Sequence, residues 1–347
     1  MVSKKRSLSG RISSARIWLQ AAATFFSNPF LTNIPVGRLY TGSLKKVCLP
    51  GLNCYSCPAA SGACPIGAMQ AVSGSSRFSF SFYVTGFLVL IGVFLGRFIC
   101  GFLCPFGWFQ ELLHKVPSRK LSTEKLKPLR YFKYVILLAA VFLLPAVIAN
   151  AAGLGDPYFC KYICPQGVLE GAVPLALADS SIRTALGRLF TWKASILLMV
   201  IILSIIFYRP FCKWLCPLGA FYALFNRISL LSINVDRDKC VSCGICADVC
   251  DMDVDVTKAP DHNECIRCGV CIRNCPTDAI SYRYSLKPGH DNLQAQTSKG
   301  NKYKCSSTRT QKGGNTNENP KITDRADDTH HGCMHCSMLK RRHIRRL

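Results

Sequence analysis

Between residues 240 and 275 the chain places eight cysteines in two runs, Cys240-x2-Cys243-x2-Cys246-x3-Cys250 and Cys265-x2-Cys268-x2-Cys271-x3-Cys275-Pro276. Two-residue gaps let one turn aim three sulfurs at a common point, and a more distant Cys closes the site, which is the ligand spacing of two [4Fe-4S] clusters. Where a chain holds two such clusters, the fourth Cys of each run serves the other cluster. The spacing therefore predicts Cys240, Cys243 and Cys246 with Cys275, and Cys265, Cys268 and Cys271 with Cys250. The first run departs in one respect, ending Cys250-Asp251 where Cys-Pro is usual. Zinc also takes Cys-x2-Cys pairs, but eight cysteines in two such runs, one closing on Cys-Pro, favour clusters. The chemistry implied is electron transfer.

A second set of cysteines precedes these runs. Cys-Pro-x-Gly occurs four times, at Cys64, Cys104, Cys164 and Cys216, and three copies have another Cys four residues earlier, Cys100, Cys160 and Cys212. The copy at Cys64 follows Cys57, Cys54 and Cys48 instead. Proline suits the first helical position, where its missing N–H would be unpaired anyway. Each Cys is thereby placed at a helix N-cap, with orphan N–H groups and the positive dipole end facing a thiolate or an anionic cluster. Arg97-Phe-Ile-Cys100-Gly-Phe-Leu-Cys104-Pro and Arg209-Pro-Phe-Cys212-Lys-Trp-Leu-Cys216-Pro have matching spacing, so this part reads as two tandem units. The quasi-equivalent Cys100, Cys104, Cys212 and Cys216 are expected to share a third cluster on the inner side. Cys160 and Cys164 are expected to combine with Cys57 and Cys64 on the outer side. Cys48 and Cys54 are then extra ligands, a disulfide, or part of a rearranged set. Cysteines in apolar helices often merely pack, which is the alternative for both groups.

The elements that must carry these motifs are apolar helices. Residues 78–96, 134–155 and 189–208 are almost free of charge and long enough for a bilayer core of about 30 Å, which takes roughly 20 apolar residues. Lys193 would snorkel to the interface. Residues 17–37 form a weaker first span, interrupted by Asn28, Pro29, Asn33 and Pro35. A signal peptide is the alternative there, although the small-residue triplet at 21–23 comes early for a cleavage site. The expected fold is a helical membrane domain of about four spans in two repeats over residues 1–234. An α+β two-cluster ferredoxin-type domain follows over 235–285, and a basic tail of disordered composition over 286–347.

Lys and Arg set the orientation. Five precede the first span and eight lie from Arg97 to Lys133, against four each in residues 38–77 and 151–193. Both termini and the ferredoxin-type segment are therefore expected in the cytoplasm, in a multi-pass protein of the cell membrane. The net charge of +24 reads as a topology and lipid-headgroup signal; it is dispersed rather than gathered in a patch, which argues against nucleic acid. In the tail, Cys305 and His330-His331-Gly-Cys333-Met-His335-Cys336 stand out, but Ser337 follows Cys336, so the Cys-x-x-Cys-His of haem attachment fails.

The stretch from Asn53-Cys54-Tyr-Ser-Cys57 to Cys64-Pro-Ile-Gly67, with Cys100-Gly-Phe-Leu-Cys104-Pro-Phe-Gly-Trp-Phe-Gln110 and the ferredoxin-type runs behind it, resembles the NapH-like membrane polyferredoxins over roughly residues 15–285. These are relatives of accessory proteins of periplasmic nitrate reduction and nitrous oxide reduction. The resemblance implies a four-helix membrane protein passing electrons between a quinol or cytoplasmic donor and a redox partner, with the paired Cys-x3-Cys-Pro motifs on the cytoplasmic side. The motifs assigned to the outside are additional to that pattern.

No nucleophile, nucleotide loop or carboxylate pair stands out, so the chain reads as an electron-transfer component rather than a stand-alone enzyme. An assembly factor that reduces a metal or thiol for a partner, and a redox sensor signalling through the tail, are the alternatives. Gln110 and His114, with Glu111 beside them, are candidate proton acceptors for a quinol, or simply a polar face. Inner and outer sites at opposite edges of a core about 30 Å thick would be too far apart for one electron jump. The uncharged residues 98–110 would then have to dip inward as a re-entrant segment.

Overall fold

The computed structural model describes residues 8–75, 82–148 and 155–285. The tail, with Cys305, Cys333 and Cys336, lies outside them. Among the described residues, two helices are long and apolar enough to cross a membrane, Leu126–Val147 and Arg188–Ile206. The second matches the span expected at 189–208. Phe82–Leu95 is apolar over its 14 described residues, and residues 78–81 of the span expected at 78–96 lie outside those described.

Two expectations change. Residues 17–37 do not form one helix: Arg16–Ser27 stops at Asn28, and the separate turn Asn33–Val36 follows. The polar Asn28 side chain, bonded to the Thr24 carbonyl at 3.1 Å, competes with the helical ladder at that point. The span expected at 134–155 begins earlier, at Leu126. Lys133 looked like its polar boundary, yet Lys133 is fully buried against Glu264, so its charge does not end the helix. Arg97 and Arg130 are buried as well, and these three cations therefore belong to internal pairs rather than to a free cytoplasmic loop.

Prolines shape the helices locally. Leu137–Leu143, Phe159–Ile163 and Gly167–Ala172 are widened to π geometry, and each run stops shortly before a proline, Pro145, Pro165 or Pro174. A proline offers no N–H to the preceding turn and crowds its carbonyl, and a wider turn relieves that conflict.

The ferredoxin-type segment is closed by β1, Leu231–Val235, antiparallel to β2, Ile280–Tyr284, in the register Leu231↔Tyr284 to Val235↔Ile280. It docks on the helices through a buried polar seam. Glu264 accepts from Arg97 at 2.9 Å and from Lys133 at 2.6 Å. Asp253 pairs with Arg130 at 2.7 Å and Lys213 at 3.2 Å. Asn226 Nδ2 donates to the His262 carbonyl at 2.7 Å and the Cys265 carbonyl at 3.0 Å, while Arg267 donates to the carbonyls of Leu95 and Asn226. Asp251, where a proline is usual, faces this seam: its carbonyl accepts from Lys213 Nζ at 2.6 Å.

Candidate iron-sulfur centres

Cys240, Cys243, Cys246 and Cys275 line one void, and Cys250, Cys265, Cys268 and Cys271 line another, each of ≈ 20 Å³. The near-equal size suits two copies of the same group. Each run thus meets the fourth cysteine of the other. Backbone geometry repeats with the ligands: Ser242 and Arg267 both sit at φ 51°, Asp253 and Asp278 both at 52°, and Gly244 and Gly269 at 75° and 74°. Glycine takes this left-handed conformation without Cβ strain, and such turns point successive N–H groups into an anion-binding concavity. Replacing Cys275 in the full-length protein should remove or convert the cluster of the first run, and replacing Cys250 that of the second. Electron paramagnetic resonance with both ferredoxin-type signals intact after either change would reject this pairing.

The inner quartet also comes together. Cys100, Cys104, Cys212 and Cys216 are 5–7 % exposed. Cys104 and Cys216 are the extended N-cap residues of helices Pro105–His114 and Pro217–Phe225, and the Gly219 N–H donates to Cys216 Sγ at 3.4 Å. Gln110 Nε2 donates to Cys212 Sγ at 3.2 Å while its Oε1 accepts from the Phe211 N–H. Gln110 is therefore committed to the cysteine site and is withdrawn from the quinol set, since both ends of its amide are occupied. Burial pushes the Cys104 thiol up to about 12, so the thiolates a cluster needs form together with metal binding, which releases the protons.

The outer group is rearranged. Cys54, Cys64, Cys160 and Cys164 line a cavity of ≈ 170 Å³ with Gln166 and Lys193. Gln70 repeats the clamp of Gln110: its Nε2 donates to Cys160 Sγ at 3.0 Å and its Oε1 accepts from the Phe159 N–H at 2.9 Å. Cys57, expected here, is absent from the cavity. A turn bonds its N–H to the Cys54 carbonyl at 3.1 Å, and its thiol lies 3.7 Å from Asn28 Oδ1 beside Ala59 and Ala60. Cys54 takes the place because Glu170 Oε2 accepts its N–H at 2.9 Å. No disulfide joins Cys48 to Cys54; all the described cysteines are free. Sequence reasoning missed Gln70 and Glu170, yet both stand six residues after the Cys of a Cys-Pro-x-Gly copy, as do Gln110 and Tyr222. Cys54→Ser should remove about four irons per chain, one cubane's worth, while Cys57→Ser should leave the iron content unchanged; equal losses from the two variants would restore Cys57 to the site.

Successive groups are linked by direct contact. A Cβ added at Gly101, between Cys100 and Cys104, would collide with the carbonyl oxygen of Ile266, between Cys265 and Cys268. On the other side, a Cβ at Gly51 would lie 3.1 Å from Cys104 Cα, and Cys54 follows three residues later, at most about 11 Å along the chain. The inner and outer groups are thus far closer than a bilayer core is thick. Among the described residues no group of three or more His, Cys, Asp or Glu converges as a single metal ion requires. The cysteines of the two ferredoxin-type groups and of the outer group line voids instead, as ligands of a polynuclear cluster must.

Comparison with known proteins agrees with this chemistry. Residues 78–124, 136–173 and 190–235 match one family described as 4Fe-4S binding domain, and residues 233–254 and 259–281 match another of the same description. Each of the first three stretches carries one Cys-x3-Cys-Pro motif. An uncharacterized protein of Methanocaldococcus jannaschii is 30% identical over 210 residues, 58% of this chain and 77% of its own. The methylamine utilization ferredoxin-type protein MauN of Paracoccus denitrificans is 29% identical over 47% of this chain and 52% of its own, and the ferredoxin-type protein NapH of Haemophilus influenzae is 30% identical over 33% and 54%. The chain thus spans about half the length of these two named relatives. No solved structure matches it. With the ferredoxin-type runs, the Cys-x3-Cys-Pro motifs and relatives of this kind on one chain, the protein belongs to the NapH-like polyferredoxin family of iron-sulfur electron-transfer proteins.

Proposed function

We propose that the chain relays single electrons along four [4Fe-4S] clusters between a donor or acceptor at the ferredoxin-type segment and a redox partner near Cys54 and Cys164. The order is the Cys240 group, the Cys265 group, the inner quartet and the outer quartet. The observation that carries this reading is the unbroken sequence of backbone contacts, Gly101 on Ile266 and Gly51 on Cys104. When bound, each cluster takes up and returns one electron. The chain supplies cysteine ligands at helix N-termini, where dipoles favour negative charge, and it excludes water from the inner thiols.

Membrane anchoring completes the proposal. Leu138, Leu198 and Ile202 are more than half exposed on the two long helices, the surface expected of helices that face lipid. The ferredoxin-type segment and tail are then cytoplasmic by the Lys and Arg distribution.

The order of stations is tested by Cys104→Ala with freeze-quench paramagnetic resonance and a protein reductant too large to reach the outer cavity. Both ferredoxin-type signals should appear at the normal rate while the outer signal stays absent. An outer signal appearing at the wild-type rate would reject the order.

A quinol donor is favoured by a separate cavity of ≈ 200 Å³ lined by Trp108, Glu111, His114, Tyr208 and Asp251. It is open beside the apolar Ile17 and Leu112 and combines an apolar wall with convergent polar groups. A short-chain quinol in place of the protein reductant should reduce the inner signal first, and no reduction rejects this donor.

A further inference from the structure

The glycines of Cys-Pro-x-Gly are not there for backbone freedom, since Gly67, Gly107, Gly167 and Gly219 are not among the residues with positive φ. Three of them lie against a cation. A Cβ at Gly107 would lie 3.0 Å from Arg209 Nη1, one at Gly219 would lie 3.5 Å from Arg97 Nη2, and one at Gly167 would lie 3.3 Å from Lys193 Nζ. The inner site therefore has two such cations, and they cross between the repeats: Arg97, preceding Cys100, covers the motif of Cys216, and Arg209, preceding Cys212, covers the motif of Cys104.

Both arginines are 0 % exposed. Each shares one carboxylate with a second cation, Arg97 with Lys133 on Glu264 and Arg209 with Arg16 on Glu111. Each group of three thus keeps one positive charge in excess. Arg97 Nε and Nη2 and Arg209 Nε have no hydrogen-bond partner, although buried polar groups are rarely left unpaired. Arg209 also adopts φ 49°, a strained conformation for a residue with a Cβ. The outer site has one such cation instead of two, and Lys193 Nζ there donates to the Cys160 carbonyl at 3.0 Å.

We infer that Arg97 and Arg209 are positioning residues for the inner cluster, supplying excess positive charge and N–H donors that hold its reduction potential above that of the outer cluster. Reduction adds negative charge, which nearby cations stabilise, and net charge and hydrogen bonds to sulfur are the terms that set cluster potentials. Gly107 then has a redox role, because a Cβ there would crowd the Arg209 guanidinium over the helix N-terminus.

The inference rests on the inner quartet holding a cluster, and iron analysis tests that separately. In potentiometric titrations of the full-length protein followed by paramagnetic resonance, Arg97→Gln and Arg209→Gln should each lower the reduced-to-oxidised ratio of one signal at least tenfold at fixed potential. That equals a shift of about 59 mV for a one-electron couple, and the ferredoxin-type signals should not move. Arg209→Lys should recover most of the shift, as a structural role alone would not require. If either Gln variant loses iron, Gly107→Ala crowds Arg209 without removing its charge and should shift the same signal downward. Unchanged midpoints with full iron content in Gly107→Ala and in any Gln variant that keeps its iron overturn the inference. About 8 irons in the wild-type chain, two cubanes' worth, overturns instead the reading on which it rests.

Discussion

Cys104→Ala is expected to remove about four iron atoms from the full-length protein, Cys216→Ala the same four, and the double variant no more than either alone, at four irons per cubane. The reason is geometric. Cys104 and Cys216 cap separate helices, Pro105–His114 and Pro217–Phe225, yet Cys216 is close enough to Cys212, Cys100 and Cys104 for their charges to interact. A four-cysteine site loses its integrity with any one ligand, so the two losses overlap instead of adding. Wild-type protein purified without oxygen should carry about 16 irons if all four groups are filled and about 12 if the outer one is not. A count of about 8 that Cys104→Ala leaves unchanged would reduce the Cys-Pro-x-Gly motifs to packing elements.

Glu264→Gln is expected to loosen the ferredoxin-type segment from the helices by about 3–5 kcal/mol, the usual cost of breaking a buried ion pair by removing one partner. Glu264 is 4 % exposed and is the shared partner of Arg97 and Lys133, both fully buried. Burial alone would raise its carboxyl pKa, but the two cations override that and hold it at about 2. The amide of Gln leaves both cations facing a neutral group. Hydrogen exchange through opening of the seam around Asn226 should rise a hundredfold or more, since each 1.4 kcal/mol is a factor of ten. An increase below tenfold would mean that Asp253, with Arg130 and Lys213, holds the seam by itself.

How far the sequence reveals this arrangement depends on the range of the interactions involved. The ferredoxin-type runs and the pairing of Cys100, Cys104, Cys212 and Cys216 follow from local spacing and from a repeat visible along the chain. The choice of Cys54 over Cys57 does not, because it turns on a hydrogen bond from Cys54 to Glu170, more than a hundred residues away. The beginning of the helix Leu126–Val147 was hidden for a similar reason: a lysine reads as a boundary until its partner Glu264 is seen. Gln110 looked like a proton acceptor because its position beside Glu111 and His114 is apparent locally, while its bond to Cys212 is not. Gln70 and Glu170 carried a detectable signal, their common place after the motif cysteine, which becomes meaningful only once Gln70 and Gln110 are seen to hold Cys160 and Cys212 in the same way.

The interleaving of the cysteine groups along the chain bears on how the protein is made. The outer group is complete only when Cys164 has left the ribosome, the inner one with Cys216, and the two ferredoxin-type groups with Cys271 and Cys275. Domains generally fold from the N-terminus during synthesis, and here the first hundred residues hold Cys54, Cys64 and Cys100 without the partners that complete their groups. On the proposed reading those thiols wait, reduced, for sequence not yet translated, and the inner group is open to metal only after Cys216. A nascent chain stalled before Cys160 would leave them without partners and open to oxidation.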